Sequence, residues 1–300
     1  MILSIGEILA DLIGEKYDDR IDFKTYAGGA PFNVACNAKF AGAKVGFYGN
    51  VGRDVIGRFL NGFVQSIGLD YAKITEDAGR NTTLAFVTVD DEGERSFSFY
   101  RNNTADYALD LDAVDFDAFP DLKIVHLGSL MLSEEEGVRF ARALVEKVKS
   151  KGILFSFDVN FRLDLFNSPS EAIERYKWFV DRADILKFSD DELLLYTGEN
   201  CLEKAIEKIP ADNRLFALTM GKKGSLALMD NIKATVPTKV VRPVDTTGAG
   251  DAFFGALLAK IDEVGLKNLN EKSLTTIFEY CNKVASFAVT KFGAINSFDI

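Results

Sequence analysis

The chain has 300 residues, 47% of them hydrophobic and 27% charged, with a formal net charge of −10. That length lies near the ceiling for one hydrophobic core, and the composition excludes a disordered or fibrous chain. The acidic balance speaks against a broad surface for nucleic acid or anionic membrane, so an anionic ligand must be held by local donors.

The first stretch, MILSIGEIL, reads as a buried strand. It lacks a basic leader and carries Glu7, with Asp11 close behind, so no secretory signal is expected. PFNVACNAKFAGA follows as a helix with Pro31 in its first turn. KVGFYGNVG reads as a strand, and VIGRFLNGFVQSIG has helical spacing closed by a glycine. TTLAFVTVDDEGERSFSFYR alternates apolar and polar residues on either side of DDEG, the pattern of a hairpin. KIVHLGSLM, the helix EEEGVRFARALVEKVKSKG and the strand ILFSFDVN come next. Ser168, Pro169 and Glu171 make a capping-box start for a helix ending near Val180. ADILKFS, a helix from Asp190, LFALTMG and two long helices complete the series. Strands separated by single helices predict a mostly parallel sheet covered on both faces. One domain over 1–300 is expected, with a small β-sheet lid inserted at about 12–27 and 72–106.

Three widely spaced cysteines, Cys36, Cys201 and Cys281, suggest neither disulfide framework nor zinc site, and point to a reducing cytoplasm. No apolar run approaches the roughly 18 residues of a membrane span. His126 lies in a strand pattern and reads as a packed histidine, which leaves no basis for histidine-centred hydrolysis.

The densest signal is DTTGAGDAFFGALL, from Asp245 to Leu258. Apolar residues after Gly250 recur at helical spacing, which places Gly248 to Asp251 at a helix start. N–H groups there lack intrahelical partners, glycine lets a ligand come close, and the dipole favours an anion. A carboxylate at Asp251 does not suit anion binding. It suits the base that accepts a proton from an attacking hydroxyl, or simply a first-turn acid favoured by the dipole. Phe253 stands where a dinucleotide fingerprint needs glycine, and no P-loop pattern occurs. A second cluster sets Gly28 and Gly29 before the Pro31 helix, with Asn33 on its first turn. Its side-chain amide can donate to and accept from a hydroxyl, although a tight strand-to-helix turn explains the glycines equally well.

Taken together, the two clusters resemble the ribokinase-like, or PfkB, family of carbohydrate kinases over the whole chain. GGAPFNVA, FYRNNTADYAL, FDVNFR and LKFSDDEL are most similar to fructokinases. The resemblance implies a three-layer α/β domain with a β lid and ATP-dependent phosphorylation of a sugar hydroxyl, fructose at its 6-position being the favoured acceptor. It puts the catalytic base on Asp251 and the anion hole on Gly248, Ala249 and Gly250. It puts the sugar on Asp11, Gly28, Gly29, Asn33, Arg101, Asn160 and Arg162. ATP falls to Lys187, Ser189, Thr219, Gly221, Gly224 and Asn282 beside the anion-hole glycines. Many relatives carry Asn-x-x-Glu where this chain has Ser189 and Glu192; Glu192 is the implied holder of Mg2+ through water. Asp245, Thr247, Gly293 and Ser297 resemble a monovalent-cation site, and oxygen-only ligation suits K+. The remaining alternatives are a kinase for 2-keto-3-deoxygluconate, ribose or a nucleoside, and a catalytically silent binding regulator on the same fold. A homodimer through the lid is also expected.

Overall fold

The computed structural model describes residues 1–89 and 95–295. In chain order the strands are β1 (Ile2–Ile5), β2 (Leu9–Lys16), β3 (Ile21–Gly28), β4 (Val45–Gly52), β5 (Tyr71–Asp77), β6 (Leu84–Val89) and β7 (Arg95–Tyr100). They continue as β8 (Ile124–Leu127), β9 (Leu154–Asp158), β10 (Ile185–Ser189), β11 (Leu215–Thr219), β12 (Ser225–Met229) and β13 (Ile232–Val236). The helices are α1 (Ala30–Phe40), α2 (Val55–Ile67), α3 (Glu135–Ser150), α4 (Pro169–Val180), α5 (Asp190–Thr197), α6 (Leu202–Glu207), α7 (Ala249–Val264) and α8 (Glu271–Ala288).

The large sheet has the order β13-β12-β11-β10-β9-β8-β1-β4-β5. It is parallel from β11 to β5 and antiparallel at β12 and β13, a hairpin the periodicity above does not predict. The chain builds outward from β1 to β4 and β5, then returns to start again at β8 on the other side. The gap between β1 and β8 is therefore a topological switch point, where open α/β sheets bind ligands at the carboxyl ends of their strands.

One apolar core lies on each face of this sheet. Phe32 and Val34 of α1, Phe253 and Phe254 of α7, and Phe278 of α8 fill one; Leu144 of α3, Tyr176 and Phe179 of α4, and Leu193 of α5 fill the other. The result is the expected three-layer domain. Helices α1 and α7 approach closely because position 255 is glycine: a Cβ there would lie 2.7 Å from the Val34 carbonyl oxygen. That approach carries Asn33 on α1 to the first turn of α7. His126 is packed as expected, edge-on to Phe254, and burial pushes its imidazole down to about 3.

The second sheet, ordered β3-β2-β6-β7, is the lid. Its β6–β7 hairpin matches the expected one, and the DDEG turn lies outside the described residues. Two expectations need correction. MILSIGEIL is not one strand: the chain turns at Gly6, whose φ of 150° and tight fit against Pro31 suit glycine, and leaves the large sheet for the small one. Nor does the lid span 72–106, because β5 forms the edge of the large sheet and only β6 and β7 join the small one. Edge strand β3 leaves Ile21 and Phe23 exposed. All three cysteines are free, and among the described residues no helix is long and apolar enough to cross a membrane.

Candidate active site

A cleft of about 320 Å³ opens at the carboxyl ends of β1, β8 and β9, walled on one side by Leu9, Asp11 and Phe99 of the lid. Gly29, Asn33, Asn160, Arg162 and the 246–251 segment line the rest of it with Glu7, Ser129, Asp158 and Lys187. Asp11 reaches this position because Gly28 has no side chain: a Cβ there would lie 2.1 Å from the Asp11 Oδ2.

Gly248 ends the loop before α7 with φ of 75°, and no side chain caps the helix. The Ala249 N–H turns back to the Thr246 carbonyl at 3.4 Å, and the N–H groups of Gly248 and Gly250 on either side of it are left for a ligand. Asp251 sits in that first turn, and the Asn33 Nδ2 donates to its Oδ2 at 2.8 Å. Burial raises the carboxyl above the usual range, while the Asn33 amide, Lys187 and Arg162 pull it back. The net upward shift suits a group that must take a proton and then release it. Asn33→Ala removes the donor that stabilises the carboxylate, so the Asp251 pKa rises further. The acid limb of kcat/KM should therefore move to higher pH; a limb unmoved in a pH–rate profile would contradict the assignment.

A second cleft of about 430 Å³ lies on the other side of the α7 start. Val240, Val241, Phe253, Ala285 and Val289 make it partly apolar, and Ser189, Glu192, Thr219, Gly221, Gly224 and Asn282 supply polar and glycine positions. Gly224 has φ of 99°, and a Cβ there would meet the Val236 carbonyl at 2.1 Å. Asn282 donates to that same carbonyl at 3.1 Å, which ties α8 to the end of β13. The two clefts share Asn160, Lys187, Thr246, Ala249 and Gly250, so they meet at the helix start.

Ser189 caps α5: its Oγ accepts from the Glu192 N–H, and the Glu192 Oε2 accepts from the Ser189 N–H at 2.8 Å. The other Glu192 oxygen accepts from the Phe161 N–H at 3.1 Å. A single carboxylate on a nucleotide-sized cleft fits a magnesium ion that arrives on phosphate oxygens and keeps its waters; among the described residues no cluster of three potential ligands occurs. Asp245 is buried and gathers the neighbouring loop, accepting from the Thr247 N–H at 2.8 Å and the Gly293 N–H at 2.9 Å. The structure thus brings Asp245, Thr247 and Gly293 together, and Ser297 lies outside the described residues.

Arg101 is not brought to the first cleft. Its guanidinium is buried on Asp106, 2.8 Å from Nε to Oδ2, bonds Ser133 and lies over the Tyr107 ring. It borders the adjacent hollow beyond Phe99 instead. Conversely, Glu7 and Asp158 belong to the cleft without having been marked as site residues. Burial pushes the Glu7 carboxyl up to about 8, and its Oε2 has no partner among the described residues. A lone acid after a glycine at the end of an apolar strand was the signal available for Glu7, and the acid closing FSFD for Asp158.

Two adjoining clefts, a carboxylate at their junction and an uncapped helix start are the equipment of an enzyme that passes a phosphoryl group to a hydroxyl. Residues 1–300 match the pfkB family carbohydrate kinase, and the chain belongs to that family. It is an ATP-dependent carbohydrate kinase. It is 36% identical over 301 residues to a probable fructokinase-4 of Arabidopsis thaliana, covering 98% of this chain and 92% of that one. Among solved structures, the fructokinase of Vibrio cholerae O395 bound to fructose, ADP and calcium ion superposes with a TM-score of 0.87 at 29% identity, covering 99% and 94% of the two chains. A Pyrococcus horikoshii sugar kinase in complex with ATP gives 0.83 at 32% identity, covering 98% and 94%.

Proposed function

We propose that this protein transfers the γ-phosphoryl group of Mg-ATP to the 6-hydroxyl of fructose, with Asp251 as general base. The observation that carries the reading is the position of Asp251 and the uncapped α7 start on the wall between the two clefts. The fructokinase names of the relatives and the fructose and ADP in the Vibrio cholerae structure support the choice of sugar.

In this reading Asp11, Gly29, Asn33 and Asn160 hold the sugar hydroxyls in the first cleft, and the triphosphate lies in the second with its base against Val240, Val241 and Ala285. Asp251 takes the hydroxyl proton as the oxygen attacks. The N–H groups of Gly248 and Gly250 meet the charge that grows on the phosphoryl oxygens. Glu192 would hold magnesium through water, and the ion would supply positive charge against the phosphates when bound. Asp245, Thr247 and Gly293 are the candidates for potassium, an ion present in another Vibrio cholerae fructokinase structure. The lid excludes water from the reacting groups.

An acidic acceptor such as 2-keto-3-deoxygluconate calls for paired arginines. Here Arg162 lines the cleft while Arg101 is engaged by Asp106, which favours a neutral sugar. Phosphorus NMR of the product from fructose and ATP tests the position: the expected signal is a 6-phosphate monoester, and a 1-phosphate would overturn that part of the proposal. The exposed Ile21 and Phe23 support a homodimer through the lids, for which a sedimentation mass of one chain is the contrary result.

A further inference from the structure

The hollow beyond Phe99 has a volume of about 800 Å³, and the mechanism above gives it no part. Among the described residues, Phe99 is the one that lines both this hollow and the first cleft. The lid sheet explains how the ring comes to stand there. Phe99 on β7 is the register partner of Ala85 on β6, and Ala85 is the partner of Asp11 on β2. Side chains in one such row share a face of the sheet, so Phe99 and Asp11 both look towards the cleft. Tyr100, the next residue, takes the other face and meets the Phe86 ring there. Phe99 and Leu165 pack on a small apolar cluster of Leu9, Ala85 and Leu130. Leu9 and Leu130 line the cleft and Leu165 lines the hollow, which puts the phenyl ring on the boundary between them. The cleft, at about 320 Å³, is at the small end of ligand sites, which run from roughly 300 to 1,000 Å³. The hollow carries the amides of Asn81 and Asn102 and the carboxylates of Glu134 and Asp164, groups suited to hydroxyls.

We propose that Phe99 is a specificity-determining residue for the acceptor: its ring closes the sugar cleft against the hollow and confines the substrate to a single sugar unit. The inference rests on the reading of the first cleft as the sugar site of a kinase. Exclusion of this kind works by clash rather than by a lost hydrogen bond. An acceptor with a second unit meets the ring before its reacting hydroxyl comes within reach of Asp251. Without the ring, cleft and hollow become one space, and the second unit lies among the amides and carboxylates beyond. The chemistry does not change with the longer acceptor. Its hydroxyl oxygen bonds to the γ-phosphorus, the bond from that phosphorus to the β–γ bridging oxygen breaks, and the electron pair leaves on the nucleoside diphosphate. The hydroxyl proton goes to Asp251.

The test compares the full-length wild type with Phe99→Ala on fructose and on three disaccharides, sucrose, turanose and maltulose. Each disaccharide keeps a fructose unit with a free 6-hydroxyl and carries its glucose on a different carbon. Isomaltulose, whose glucose blocks the 6-hydroxyl, serves as the blank. Phe99→Ala should raise kcat/KM on at least one of the three by about tenfold or more over the wild type. Its KM for fructose should rise several-fold as the wall recedes, with KM for ATP nearly unchanged. A purely structural phenylalanine would give losses and no gain. A variant that melts within a few degrees of the wild type yet gains on none of the three would overturn the proposal. Should Phe99→Ala melt early, Phe99→Leu keeps the apolar packing and is judged by the same gain. A wild-type protein that phosphorylates neither fructose nor any other sugar would instead bring down the kinase reading beneath it.

Discussion

Asp251→Asn is expected to lower kcat by about 10²-fold or more and to leave KM for fructose within a few-fold of the wild type. The amide matches the carboxylate in size and can still meet the Asn33 side chain after a flip, so the first turn of α7 should persist. What it cannot do is take the hydroxyl proton as the oxygen attacks. The loss should therefore fall on the transition state, and kcat and kcat/KM should drop together. The residual rate should come from the helix start and the aligned substrates, which Asp251 does not provide. Near-full turnover by this variant would remove Asp251 from the mechanism and leave it as a helix-dipole acid.

Gly248→Ala should be nearly as damaging, by a different route. Gly248 has φ of 75°, a conformation that costs a residue with a Cβ roughly 1–2 kcal/mol. The new methyl would also lie 2.3 Å from the Ala294 Cβ, closer than two carbons can come. The backbone at 248 has to move, and with it the N–H groups offered to the phosphoryl oxygens. Loss of one such donor costs on the order of 10²-fold in kcat. The variant should fold, because the buried part of α7 from Ala252 onward is untouched, with a melting temperature lower by several degrees. A variant with normal kcat would mean that the helix start does not stabilise the transferring group.

Much of this site was legible because its residue types, set in that order, have few other uses in a fold. Glycines, a threonine pair and an acid run straight into an apolar helix in DTTGAGDAFF, and the structure puts that helix start between two clefts. The Gly28–Gly29 pair served both a turn and a close approach, and the Asp11 carboxylate accounts for the second use. Ser168 marked a helix start that depends only on local hydrogen bonds, and its side chain accepts from the Glu171 N–H as expected; the Glu171 carboxylate does not close the capping box but takes the Asn167 N–H and side-chain amide instead.

The failures share a physical cause: they depend on which partner lies near in space. Arg101 resembles a sugar ligand, yet Asp106, five residues on, holds it in a neighbouring hollow. Tyr71–Asp77 falls almost wholly within the stretch expected to belong to the lid, but it is half-buried and pairs with β4 rather than with the small sheet. The split of MILSIGEIL at Gly6 was hidden because both halves are buried, one in each sheet. Val240 and Val241 come from a loop with no periodicity, so nothing in their spacing announced an apolar wall for a base.

The most direct test of the account is the rate of ADP release from Mg-ATP by the wild-type protein with fructose, 2-keto-3-deoxygluconate, ribose, glucose and adenosine at one concentration. Fast release with fructose, stoichiometric with phosphorylated sugar and well above the other four, is the predicted result. Faster turnover with another of the five would keep the machinery and replace the substrate, and silence with all five would contradict the kinase assignment itself.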